Sequence, residues 1–109
     1  MSTLHTVNKP SWSSDTLQSC LRLILSGDTL LLIEDGTYNV RTLDALAASL
    51  NVPLQGLQIR VLRDDLVARG LSESELAPPI IAIDYAEFVA LVCQHQQSVH
   101  LELAVQVYR

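Results

Sequence analysis

The sequence predicts an α/β fold in three layers, α/β/α, around a mostly parallel sheet of about five strands. Three observations carry that expectation. Short apolar runs alternate with helical segments along the chain, the order that builds strand–helix–strand units. The run "LLLI" inside "TLLLIE" has no polar position, as expected of a strand buried on both faces. Turn and cap residues fall between these segments rather than inside them.

Taken in order, residues 3–7 ("TLHTV") read as a first strand. In residues 13–25 ("SSDTLQSCLRLIL") Leu17, Cys20, Leu21 and Ile24 share one helical face. Asp15 and Gln18 have capping-box spacing there, and Gly27 stands past the helix end. Residues 29–34 form the second strand. "TLDALAASL" brings Leu43, Leu46, Ala47 and Leu50 together at helical spacing, with Thr42 as cap and residues 51–53 as the stop. Residues 57–62 are the third strand. "RDDLVARG" is a short helix with Asp64 or Asp65 near its start, Arg69 in its last turn and Gly70 beyond, the charges a helix dipole favours. After Pro78 and Pro79 come a fourth strand, "IIAI", and a longer helix, "DYAEFVALVCQHQQ". Asp84 and Glu87 cap it, and Tyr85, Phe88, Val89, Val92 and Cys93 are its expected packing face. From Val99 to Val107 apolar and wetter residues alternate, which predicts an edge strand.

The chain of 109 residues is expected to be a single domain over 1–109, large enough to fold without staples. Its apolar fraction of 49% against 17% charged residues is rich for such a domain, so part of the apolar surface is expected to face other subunits. Seven scattered basic residues oppose twelve acidic ones, for a net charge of −5. That balance argues against direct nucleic-acid binding. The start lacks the pattern of a signal peptide and no apolar run approaches the roughly 20 residues that span a bilayer, so a cytoplasmic protein without a membrane segment is expected.

Gly27, Gly36, Gly56 and Gly70 are isolated, which excludes both the dinucleotide fingerprint and the phosphate-cradling loop. His5, His95 and His100 share no metal spacing with one another or with Cys20 and Cys93, so neither metal nor cofactor is expected. In an open α/β sheet, functional groups gather beyond the carboxyl ends of the strands, where Glu34, Asp35, Arg63, Asp64 and Asp84 fall. Turn and capping roles explain most of these acids, Asp35 and Gly36 above all, with a partner contact by Glu34 as the alternative. Cys20 is the one nucleophile with two readings. Its apolar helical face makes it an inert core thiol; as a thiolate it would hold sulfur as a persulfide.

Four blocks, "LHTVNKP", "SCLRLILSGDTLLLIEDGTY", "VLRDDLVARGL" and "IDYAEFVALVCQH", occur in an order that resembles the DsrH/TusB family of sulfur-relay subunits. The resemblance implies a small α/β/α subunit working in a heterohexamer with TusC/DsrF-like and TusD/DsrE-like chains, and with the donor and acceptor proteins of the relay. It implies transfer of sulfur toward the 2-thiolated wobble uridine of transfer RNA, or the sulfur-oxidation role of the DsrH branch. The principal sulfur-carrying cysteine then belongs to the TusD/DsrE-like partner, which leaves this chain mainly structural with Cys20 as an auxiliary persulfide site; the alternative is a persulfide carrier through Cys20 itself. A homo-oligomeric module without relay activity is the reading from another class. The chain departs from the resemblance after His95, where "QQSVHLELAVQVYR" continues.

Overall fold

The computed structural model describes residues 2–96 and 105–108. The chain runs β1 (Leu4–Val7), α1 (Thr16–Leu23), β2 (Thr29–Leu32), a 3-10 helix (Glu34–Arg41), α2 (Leu43–Ser49), β3 (Gln58–Leu62) and α3 (Arg63–Ala68). A second 3-10 turn (Glu73–Glu75), β4 (Ile80–Ile83), α4 (Tyr85–Gln96) and β5 (Val105–Tyr108) follow. The five strands lie in the order β4-β3-β2-β1-β5, and all four pairings are parallel. The expected central strand is there: β2 occupies the middle of the sheet and each of its residues is buried. It is shorter than expected, because Glu34 leaves the strand with φ 51 and starts the 3-10 helix.

The order of strands decides which helices share a face. Three successive crossovers step from β1 to β4 in one direction, and with a constant right-handed sense they put α1, α2 and α3 on the same side. The larger core lies there: Leu30, Leu32, Ile59 and Val61 from the sheet meet Leu17, Cys20, Leu21, Leu43 and Leu66 from those helices. The last crossover returns across the sheet from β4 to β5, so α4 is the one helix on the other side among the described residues. Its core is small: Leu4, Leu31 and Ile83 under Phe88, Leu91 and Val92.

That packing corrects the expected face of α4. Phe88 and Val92 do point inward, but Tyr85, Val89 and Cys93 are exposed, and Leu91 and His95 take the inner positions. The helix is apolar nearly all round, so periodicity gave no contrast by which to choose a face. The caps also divide. Asp84 and Glu87 form the expected box, with Glu87 N–H donating to Asp84 Oδ1 at 2.7 Å and Asp84 N–H to Glu87 Oε1 at 3.2 Å. Asp15 makes no side-chain cap bond; Ser14 Oγ instead accepts from Thr16 N–H at 3.3 Å. An unexpected box, Ser72 with Glu75, caps the second 3-10 turn. β5 lies at the sheet edge beside β1, while the expected edge-strand residues before Val105 lie outside the described residues.

Two close fits hold the middle of the sheet. Gly36 tucks against the end of β1, where a Cβ would stand 2.2 Å from the Val7 carbonyl oxygen. Asp28, buried in the turn before β2, accepts Thr3 N–H at 2.9 Å, Leu25 N–H at 3.0 Å and a 2.9 Å bond from His5 Nε2. It thereby joins the start of β1 to the end of the α1 turn.

Gly36→Ala is expected to lower stability by about 2–3 kcal/mol, because the neighbour it meets is backbone that must shift. Urea midpoints check this, and an unchanged midpoint would show that β1 yields freely there. Burial alone would raise the Asp28 carboxyl, but the Thr3 and Leu25 N–H groups and His5 more than offset it and hold it below its ordinary 3.8. The stability Asp28 adds is therefore complete above that value and disappears as pH falls through its lower folded pKa. Asp28→Asn is expected to lose about 1–3 kcal/mol at neutral pH, with the gap to wild type closing below about pH 4. Denaturant melts across that range test the sign; a gap independent of pH would refute it.

Candidate functional site

All five strands point their carboxyl ends to one edge of the sheet, and the acids expected there do gather on it. The geometry assigns them to one another. Glu34, left-handed at the end of β2, donates its N–H to Asp65 Oδ2 at 2.6 Å, and its carbonyl accepts Thr37 Oγ1 at 2.8 Å. Asp35 pairs with Arg69 at 2.8 Å, and Arg69 also donates to the Asp65 carbonyl at 3.1 Å. Arg63 is held by Glu73 and donates to the Ala82 carbonyl at 3.2 Å. Asp84 caps α4, and Asp64 stays exposed in the first turn of α3. Arg41 pairs with Glu75 at 2.7 Å, whose carboxyl is held below the usual range by the Ser72 N–H and by Arg41. Among the described residues, ion pairs and caps engage Asp35, Arg63 and Asp84, while the Glu34 and Asp64 side chains stay exposed.

Asn39 was not legible in the sequence. It is fully buried, accepts Ser11 N–H at 2.8 Å and donates to the Lys9 carbonyl at 2.9 Å, fixing the loop after β1. That loop carries Trp12, 68% exposed, with its ring 5.2 Å from that of Tyr38.

Cys20 sits on the inner face of α1 with no exposure, among Leu17, Leu21 and Leu30. Burial, with a smaller contribution from the Asp28 carboxylate, pushes its thiol up to about 12. Both the burial and the raised pKa favour the protonated thiol at neutral pH. Cys93 is the reverse case, exposed on α4 in a groove of about 530 Å³ beside the β3–β4 half of the sheet. Arg60 lines the same groove from β3, where strand alternation turns it toward α4. Its guanidinium donates to the Ile59 carbonyl at 3.1 Å and has no carboxylate partner among the described residues.

The two described histidines, His5 and His95, are both buried. His5 contacts Asp28, and His95 Nδ1 donates to the Leu91 carbonyl at 2.9 Å, since a carbonyl oxygen only accepts. His100 lies outside the described residues. Among the described residues no group of three or more His, Cys, Asp or Glu side chains could hold a metal, and no helix is long and apolar enough to cross a membrane.

A family model described as "DsrH like protein" matches residues 9–98. Protein TusB of Escherichia coli O139:H28 (strain E24377A / ETEC) is 38% identical over 96 residues, which is 87% of this chain and 96% of that protein. Protein TusB of Shigella boydii serotype 18 (strain CDC 3083-94 / BS512) matches to the same extent. Among solved structures, Protein Tm0979 from Thermotoga maritima superposes with a TM-score of 0.61 at 19% identity, covering 89% of this chain and 99% of that one. That likeness concerns the fold.

The two thiols are expected to separate cleanly under alkylation. In the isolated native chain at neutral pH, iodoacetamide should label Cys93 and leave Cys20 untouched until denaturant is added. Peptide mass mapping reads this directly, and native labelling of Cys20 would contradict its burial.

Proposed function

The chain belongs to the DsrH family, and from that we propose that it is a subunit of a sulfur-relay complex serving 2-thiolation of the wobble uridine in transfer RNA. The observation that carries this is the 38% identity to TusB along 87% of the chain, which favours the transfer-RNA branch of the family over sulfur oxidation. TusC/DsrF-like and TusD/DsrE-like chains are the proposed partners, in the cytoplasm, with the principal sulfur-carrying cysteine on the TusD/DsrE-like one.

The site geometry supports a structural rather than a chemical part in that relay. A carrier thiol attacks as its thiolate, and a buried thiol with its pKa near 12 holds a negligible thiolate fraction at neutral pH. Cys20 is therefore assigned to the core and not to transfer. The net charge of −5 and the ion pairs that engage Arg41, Arg63 and Arg69 leave little to grip a phosphate backbone. Contact with the RNA falls to other members of the relay.

Deleting the gene in its host should remove 2-thiouridine from digested transfer RNA, as measured by nucleoside mass spectrometry, and the wild-type chain should restore it. Cys20→Ala should restore it as well, at a stability loss of about 1 kcal/mol or slightly more for the small cavity. Unchanged thiolation in the deletion strain would remove the transfer-RNA assignment. A persulfide mapped to Cys20, with thiolation lost in Cys20→Ser, would make this chain a carrier.

A further inference from the structure

Buried polar atoms in folded chains nearly always have a partner, and an exception calls for a physical reason. His95, only 7% exposed near the end of α4, is such an exception. Its Nδ1 is turned back along the helix to the Leu91 carbonyl at 2.9 Å, so the proton sits on that nitrogen. Nε2, on the side of the ring away from that bond, is buried and has no hydrogen-bond partner among the described residues. His95 also forms part of the wall of a second cavity, of about 290 Å³. Gln94 and His95 line it from the helix, Thr29 and its register partner Gln58 from β2 and β3, and Ser2 and Gly27 from the chain just before β1 and β2. Strand alternation accounts for the middle pair: Leu30, Leu32 and Ile59 pack on the three-helix side, so Thr29 and Gln58 face α4. The cavity thus lies between the last turns of α4 and the amino edge of the sheet, opposite the acid-bearing rim.

The chemistry of the wall decides what fits. Among the described residues no Asp, Glu, Lys or Arg lines this cavity, so a full charge entering it would give up water for neutral dipoles alone. What the wall offers is hydrogen bonding, from the Ser2 and Thr29 hydroxyls, the Gln58 and Gln94 carboxamides and the lone pair of His95 Nε2. The hydroxyls and carboxamides both donate and accept. Nε2, with the proton held on Nδ1, only accepts, so an occupant has to bring an N–H or O–H of its own. At about 290 Å³ the cavity is also at the small end of ligand pockets. We infer that it is a binding site for a small uncharged molecule of the carboxamide or urea class, which gives an N–H to His95 Nε2 and sets its carbonyl against the Gln58 or Gln94 amide. A planar amide carries that strong donor and strong acceptor on adjacent atoms, which a polyol does not. Failure of the relay reading would leave this site untouched.

The test is NMR titration of the isotope-labelled full-length chain with acetamide and urea, beside glycerol as an uncharged polyol and formate and guanidinium as charged controls. Acetamide should move the signals of Gly27, Thr29, Gln58, Gln94 and His95 along one saturable curve. It should also shift the ring-nitrogen resonance of His95 Nε2 as an accepted hydrogen bond does. His95→Phe keeps nearly the same ring shape without the acceptor, and should weaken acetamide binding about tenfold. Gln58→Ala, at an exposed strand position, should weaken it as well. Both variants are first checked for wild-type circular dichroism, and where His95→Phe does not fold, Gln58→Ala decides. Shifts that rise in proportion to acetamide without saturating, or that survive His95→Phe in a folded protein, would overturn the site and leave Nε2 as a group satisfied by water. Glycerol, formate or guanidinium binding there as tightly as acetamide would overturn the ligand class.

Discussion

Parallel strands joined by crossovers of one hand leave little freedom in where helices lie, and that constraint organises this molecule. Stepping from β1 to β4 in one direction commits α1, α2 and α3 to a common face. The single return stroke to β5 commits α4 to the other. Among the described residues, one face of the sheet is therefore covered by three helices and holds most of the core, while the other has one helix over a five-stranded surface. The unequal cores and the exposed patch beside α4 are two results of one topological fact.

Much of this was legible in the residues. β2 announced itself because Leu30, Leu31, Leu32 and Ile33 leave no polar position, and such a run fits the middle of a parallel sheet. The Asp84 and Glu87 box was read correctly because Asp84 directly follows a strand, so the backbone enters α4 from an extended conformation. Asp15 has the same spacing to Gln18 but sits at φ −93 and ψ 17, away from the extended geometry that lets a cap side chain reach back. The inward face of α4 was misread because a helix apolar on all sides carries no periodic signal of which side is inside.

The rim shows where sequence reading of function stops. Residue type and chain order placed Glu34, Asp35 and Arg63 at the right edge of the sheet, but their partners come from 10 or more residues away: Asp65 for Glu34, Arg69 for Asp35, Glu73 for Arg63. No local pattern records those pairings. Asn39 and Asp28 escaped for a related reason. Each looks like an ordinary loop polar residue in the sequence, and each becomes a structural tie only because folding brings backbone N–H groups from distant segments around it. Cys20, the most suggestive thiol in the sequence, is buried in the α1 core, a placement that its apolar helical neighbours already suggested.

In a system that hands sulfur from thiol to thiol, a bystander thiol is a leak. Any accessible thiolate near the route would intercept cargo, and the error would grow with the number of subunits packed around the carrier. A scaffold in such an assembly therefore has to be chemically quiet as well as shape-complementary. Cys93 stays exposed on the isolated chain, whereas, on the proposed relay reading, burial in the α1 core takes Cys20 out of that exchange. The sulfur atom remains useful there as a small, polarisable filler, kept silent by the same leucines that it packs against.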